Sequence, residues 1–209
     1  MTYICNVLGG AKQLKTELLS ITDALNRGQK ETEIERNKII KLAEDLEKIN
    51  PYRGKSVPLS LLHGRWKLNY CSRRIVMGKG SFFRKVLEST QAIDTKNLYL
   101  ENIEVVKYFG FLTVKSTMCT TLAPLGPSRL EVRMHKVRRM TILFTVCLIK
   151  PNTYLLSYHL QFTFGPLSIP PMSGRKGWVD VTYVDDDFRL TRGDKGGLYI
   201  LSKEKTAAK

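Results

Sequence analysis

The chain opens on a helical pattern of apolar positions and changes to a strand pattern near residue 64. Leu14, Leu18, Ile21 and Leu25 recur at intervals of four, three and four, which puts them on one stripe of a helix. Gly28 stands where a left-handed residue closes such a helix. A second helix is expected from the capping box Thr32-x-x-Glu35, with Ile39, Leu42, Leu46 and Ile49 on its apolar stripe and a stop at Asn50-Pro51. The two read as a helical hairpin whose solvated face carries Glu33, Arg36, Lys41, Glu44, Asp45 and Lys48.

From Gly64 the period becomes two. Trp66, Leu68 and Tyr70 alternate with Arg65, Lys67 and Asn69, as in a half-buried strand. Further strands are expected around 91–108, 111–122, 129–137, 140–149, 153–164, 178–184, 187–192 and 197–203. Gly126-Pro127-Ser128, Pro151-Asn152 and the run Gly193 to Gly197 favour tight reversals between antiparallel neighbours. A meander of eight or nine strands closes into a barrel just wide enough to hold its own side chains or one small ligand, and closure removes exposed edges. The expected organisation is an N-terminal segment (1–10), one mainly β domain (11–203) with a helical lead-in (11–50) and a barrel (64–203), and a tail (204–209).

Composition narrows this picture. The 209 residues, 43% of them hydrophobic, suffice for one folded core, and a mean hydropathy of −0.20 is ordinary for a globular chain. The longest apolar run, Met140 to Ile149, is half of the roughly 20 residues a spanning helix needs. Met1 to Gly10 lacks the character of a transit peptide, so any targeting segment has been removed, lies outside it or is not needed. Cys5, Cys71, Cys119 and Cys147 are widely spaced and read as reduced apolar side chains, with neither a zinc site nor a disulfide framework indicated.

Charge adds a direction. The net charge is +15, and from Lys48 to Leu87 there are ten Lys or Arg and no Asp or Glu. Such a stretch seeks anions: nucleic acid, an anionic lipid surface or an acidic protein. Nucleic acid is the weakest of these, because no recognition helix or RNP-type aromatic pattern accompanies the charge. A membrane contact reads more naturally, with Arg73, Arg74, Lys79, Phe82, Phe83, Arg84 and Lys85 as its candidate residues; a basic loop leading into an ordinary strand is the competing reading. Gly165 to Met172, rich in proline and apolar, either caps a barrel mouth or packs on its exterior.

Chemistry finds little to work with. His63, His135 and His159 are isolated, no nucleophile elbow or phosphate loop is present, and no catalytic residue or metal ligand is expected. Asp185, Asp186 and Asp187 alternate in direction along a strand and read as a charged turn. No cofactor is expected.

Three motifs in order carry a resemblance. Leu46-Glu47-x-x-Asn50-Pro51 ends the lead-in, and Leu61-Leu62-His63-Gly64-Arg65-Trp66-Lys67-Leu68-Asn69-Tyr70 opens the barrel. Tyr183 to Leu201, with Arg189-Leu190-Thr191-Arg192-Gly193-Asp194 at its centre, closes it. Together they resemble the plastid lipid-associated or fibrillin family from about Leu14 to Ser202. The resemblance implies a lipocalin-like barrel without enzymatic activity, holding carotenoid, prenylquinone or acyl lipid at a thylakoid or plastoglobule surface in plastids. Two competing readings stay open beside it: an assembly factor or accessory subunit docked on a thylakoid membrane complex, and an enzyme of prenyl-lipid metabolism. The strong basicity departs from the family's usual acidity and suits anionic thylakoid lipid or an acidic complex better than a neutral droplet.

On that template Trp66 plugs one barrel end, Arg189 or Arg192 lies over its indole, and Asp187 or Asp194 holds the guanidinium. Strand parity offers Trp66, Tyr70, Met118, Met134, Tyr158, Leu160 and Phe162 as residues of an apolar pocket, or as plain core.

Overall fold

The computed structural model describes the backbone of residues 2–73, 83–149, 155–164 and 176–204, and the side chains of 9–73, 83–134, 141–143 and 176–204. Helix α1 runs over Thr2–Ala24 and α2 over Glu33–Lys48. The Thr32–Glu35 capping box closes in both directions: the Thr32 hydroxyl accepts from the Glu35 amide at 3.3 Å, and the Glu35 carboxylate accepts from the Thr32 amide at 2.7 Å. Helix α1 ends four residues ahead of Gly28, because Asn26, Arg27 and Gly28 all take positive φ. Gly28 is required there twice over: its φ is +86°, and an added Cβ would lie 2.9 Å from the Tyr70 ring.

A short helix α3, Leu59–Leu62, precedes nine antiparallel strands. They are β1 (Gly64–Cys71), β2 (Arg84–Asp94), β3 (Tyr99–Tyr108), β4 (Leu112–Pro124), β5 (Arg129–Ile149), β6 (Leu155–Phe164), β7 (Lys176–Val184), β8 (Phe188–Gly193) and β9 (Leu198–Lys203). The order β4-β3-β2-β1-β9-β8-β7-β5 is closed by pairing of β5 with β4, so eight strands form a barrel and β6 pairs with the far half of β5 outside the ring. The fold is the mainly β barrel with a helical lead-in that the periodicity calls for.

Two strand boundaries differ from the pattern. The stretch expected as one strand, 91–108, is two, because Asp94 accepts from Lys96 N (3.0 Å) and Asn97 Nδ2 (2.6 Å) and turns the chain, with Leu98 at φ 49°. The two strands expected over 129–149 are one, β5, whose register against β4 slips at His135 and Arg138. Each slip is a bulge that bends the strand instead of ending it.

A third bulge decides which side of the wall each residue faces. In β1, Leu68 pairs with Leu201 and Tyr70 with Ile200, leaving Asn69 extra. Trp66 and Leu68 therefore point inward and join a cluster with Leu62, Ile93, Leu100 and Leu122. Beyond the bulge Tyr70 points outward, against Leu18, Leu25, Ile39, Leu46 and Ile200. The apolar stripes of α1 and α2 thus cover the outside of the wall formed by β1, β9, β8 and β7, and burial of such side chains is worth about 1.5–3 kcal/mol each.

Candidate functional site: the barrel interior and its two ends

One barrel end is a floor. Topology gathers α3 and the β2–β3, β4–β5 and β7–β8 turns there. Gly64, at φ +114°, brings β1 in from α3, and Trp66 two residues later is fully buried with its Nε1 donating to the Leu62 carbonyl at 2.9 Å. The Arg189 guanidinium lies 4.8 Å above the indole centroid, and Lys203 Nζ lies 5.2 Å from it. Both cations take the favourable face of the ring quadrupole.

Neither aspartate holds that guanidinium. Asp187 pairs with Lys15 of α1 at 2.6 Å, and Asp194 sits against Gly177. Arg189 Nη2 donates instead to Gln91 Oε1, and its buried Nε has no partner. Arg192 is on the other face of β8, since positions three apart on a strand point oppositely. It grips Glu47 of α2 through two hydrogen bonds, 2.8 and 3.0 Å, and so fastens the lead-in. Burial without a counterion pushes Arg189 down to about 9.

Above the floor lies a cavity of about 260 Å³. Its apolar lining includes Leu68, Ile93, Leu100, Met118, Leu122 and Met134. Polar groups share it: Ser89, Gln91, Asn102, Glu104 and Thr191 also line the space, so the interior is amphipathic and not the wholly apolar pocket that parity suggests. Glu104 is raised above the ordinary carboxylate range by burial, against the opposing charge of Arg84 at 3.7 Å.

Of the candidate pocket residues, Met118 and Met134 line this space, and Trp66 lies beneath it. Tyr70 does not face the cavity: the Asn69 bulge turns it to the helices, where its hydroxyl donates to the buried Glu31 carboxylate at 2.6 Å. Tyr158, Leu160 and Phe162 lie in β6, and their side chains are outside the described residues. Two larger clefts, about 560 Å³ beside α1 and 600 Å³ beside α2, are open polar grooves on the exterior.

The opposite end carries aromatic side chains on its surface. Phe83, Phe109 and Phe111 are 56%, 59% and 51% exposed, with ring centroids 5.2 Å apart for the first pair and 6.4 Å for the second. The Phe109 amide donates to the Phe83 carbonyl at 2.9 Å, which holds the β3–β4 turn against the start of β2. Phe109 takes φ 50°, a conformation unusual for a bulky side chain. Lys85 and Lys115 are exposed on the adjoining strands. Of the sequence candidates Phe83 and Lys85 are exposed here, whereas Arg84 is half-buried and paired with Glu104; Phe109 and Phe111 were not among them, although Phe-Gly-Phe at a turn, where polar residues are usual, is a visible signal. Arg73 packs along Gly197 at the same end, while Arg74, Lys79, Phe82 and the loop 165–172 lie outside the described residues.

The described titratable groups point away from nucleophilic chemistry. Burial pushes the Cys71 thiol up to about 11, the direction opposite to that of an activated nucleophile. His63 Nδ1 accepts only a long 3.5 Å contact from the Thr95 amide. Among the described residues no group of three or more His, Cys, Asp or Glu side chains is placed to hold a metal, and no helix is long and apolar enough to cross a membrane.

Comparison with known proteins agrees with this architecture. The chain is 28% identical to a chromoplast-specific carotenoid-associated protein of Cucumis sativus, covering 92% of this chain and 68% of that one. It is 29% identical to chromoplast-specific carotenoid-associated protein C1 of an Oncidium hybrid cultivar, over 91% and 69%, and 26% identical to probable plastid-lipid-associated protein 5 of Arabidopsis thaliana, over 92% and 71%. No solved structure matches. The PAP_fibrillin family model matches residues 12–202, which takes in α2, the Trp66 floor and the closing strands, and the chain belongs to the PAP/fibrillin family of plastid-lipid-associated proteins.

Proposed function

We propose that this protein is a non-enzymatic lipid holder of the plastid, which keeps part of an apolar lipid in the barrel and works at an anionic membrane surface, the thylakoid before the plastoglobule. The single observation that carries the reading is the partly open cavity of about 260 Å³ above the Trp66 floor. Folded interiors are otherwise packed with few voids larger than a water molecule, so a space several times the ~30 Å³ of a water calls for an occupant. Its size is just under the ~300 Å³ at which ligand sites usually begin. One chain or one end of a long polyene fits; a whole carotenoid extends beyond it.

The mouth supports the surface. Exposed Phe83, Phe109 and Phe111 beside Lys85 and Lys115 form an apolar tip in a basic frame, on a chain of net charge +15. Such a tip suits a layer of anionic headgroups over hydrocarbon. The carotenoid- and lipid-associated names of the relatives favour the same class of cargo. Isolation of the full chain from plastid membranes, followed by solvent extraction and mass spectrometry, is expected to return a stoichiometric acyl or isoprenoid lipid. Recovery of protein free of lipid, in a stable complex with a membrane protein, would replace this reading with that of an accessory subunit.

A further inference from the structure

Among the described residues, the floor of the cavity holds more positive charge than is balanced. Arg189 is 4% exposed, and its carbon-bound nitrogen, Nε, is a buried donor with no acceptor. Among the described residues its one side-chain hydrogen bond goes to the neutral amide of Gln91. Lys203 Nζ, on the same indole, donates to the Leu61 carbonyl. Among the described residues neither cation forms an ion pair. The other charged group that lines the cavity, Glu104, is engaged by Arg84 of β2.

A buried guanidinium without a counterion is costly, and a buried donor left unmade costs more than a typical hydrogen bond gains. Proteins satisfy such groups with a carboxylate of their own, with water or with a ligand. This one faces a cavity that Leu68, Ile93, Leu100 and Leu122 line together with Ser89, Asn102, Glu104 and Ser116. A cation with an unserved donor beside an apolar wall suits the head and the first part of the tail of an amphiphilic acid, and the Glu104 carboxylate farther along is held by Arg84.

We infer that the barrel selects lipids ending in a carboxylate, which is bound head-down on the Trp66 floor by Arg189, with Gln91 orienting the guanidinium and the tail running toward Met118 and Met134. The inference rests on the barrel being a lipid holder and narrows its cargo to free acids, acyl or isoprenoid. A planar carboxylate takes two parallel hydrogen bonds from a guanidinium, so Nε and the neighbouring Nη can be served together. An alcohol or an ester offers no charge and no second equivalent oxygen.

The test compares dodecanoate, dodecanol and methyl dodecanoate by titration calorimetry on the full chain near neutral pH. Dodecanoate is expected to bind about tenfold to a hundredfold more tightly than either neutral analogue, the range of a charge-assisted hydrogen bond. Arg189→Met, which removes the charge while retaining an unbranched side chain, is expected to abolish that preference, so that dodecanoate binds no more tightly than dodecanol to the same variant. Should the variant fail to fold, the three-ligand comparison on the unaltered chain still decides. Equal binding of acid and alcohol, or a preference that survives in Arg189→Met, overturns the carboxylate anchor and leaves the lipid-holding role standing. Binding of none of the three overturns both.

Discussion

Trp66 shows how one residue closes an end of a barrel. Its indole is fully buried, its Nε1 is tied to Leu62, and Arg189 and Lys203 lie over it. Trp66→Ala removes all of these contacts where nothing behind the floor can move in, so the cost belongs at the upper end for large-to-small changes, about 3–5 kcal/mol. Urea titration of the variant is expected to show that loss, and an unchanged midpoint would mean the indole is not structural. That a tryptophan plugs the barrel was legible only through the resemblance carried by three motifs in order, of which Gly64-Arg65-Trp66 is part of one. Which arginine covers it was not. Arg189 and Arg192 are equivalent in sequence, and only the pairing of β8 with β7 and β9 determines which of them faces in. Gln91, the acceptor, stands 98 positions away and gives no local sign of its role.

The helical lead-in illustrates the next scale. Its existence, its capping box and its stop at Asn50 could be read from periodicity, because the apolar stripes of α1 and α2 are long and regular. Its attachment could not be read, because it depends on polar pairs between distant elements. Lys15 of α1 contacts Asp185 at 2.8 Å and Asp187 at 2.6 Å. Burial favours the protonated acid at Asp185, but the bonds from Lys15 and Tyr183 outweigh it and hold the carboxyl below its ordinary 3.8. Burial likewise favours neutral Lys15, and Asp185 and Asp187 outweigh it and hold the ammonium above 10.5. A depressed acid stabilises the fold above its unfolded value and stops doing so as pH falls through the folded one. A raised base stabilises below its unfolded value and stops as pH rises through the folded one. The pair is therefore fully effective between these limits. Lys15→Met is expected to cost about 1 kcal/mol or less at neutral pH, as partly exposed pairs do. It is also expected to flatten the loss of stability below about pH 4, which thermal melts across an acid series would show.

The β3–β4 turn is an element that the pattern placed but did not interpret. Phe109 and Phe111 project from it and contribute little to the buried clusters. Phe109→Ser with Phe111→Ser is expected to leave folding stability within about 0.5 kcal/mol. The same pair of changes should weaken partition onto vesicles containing an anionic lipid by at least about tenfold, given the apolar area withdrawn. Urea titration checks the first half and sedimentation with vesicles the second, and full partition by the double variant would remove the tip from the membrane contact.

At the scale of the molecule, the barrel is amphipathic in two senses: apolar and charged groups share its interior, and an aromatic tip sits in a basic surface. With a net charge of +15, long-range attraction to anionic lipid is screened as the Debye length falls from about 10 Å at 0.1 M salt to about 3 Å at 1 M. Vesicle association is expected to drop steeply over that range while the melting temperature changes little. Barrel closure was foreseeable from the number of strands and their turns. Its bulges were not, since the extra residues Asn69, Leu87, His135, Arg138 and Thr182 share no side-chain type. A bulge is a property of two strands at once, and a single strand's pattern holds only half of it.

Asn69 has a mechanical consequence. The extra residue lets one eight-residue strand present Trp66 to the hollow and Tyr70 to the helices. Whatever peels the lead-in from the wall must pull on the same short ribbon that props up the base of the chamber. Loosening of the helices and loosening of the chamber are thereby geared to each other through a single length of backbone.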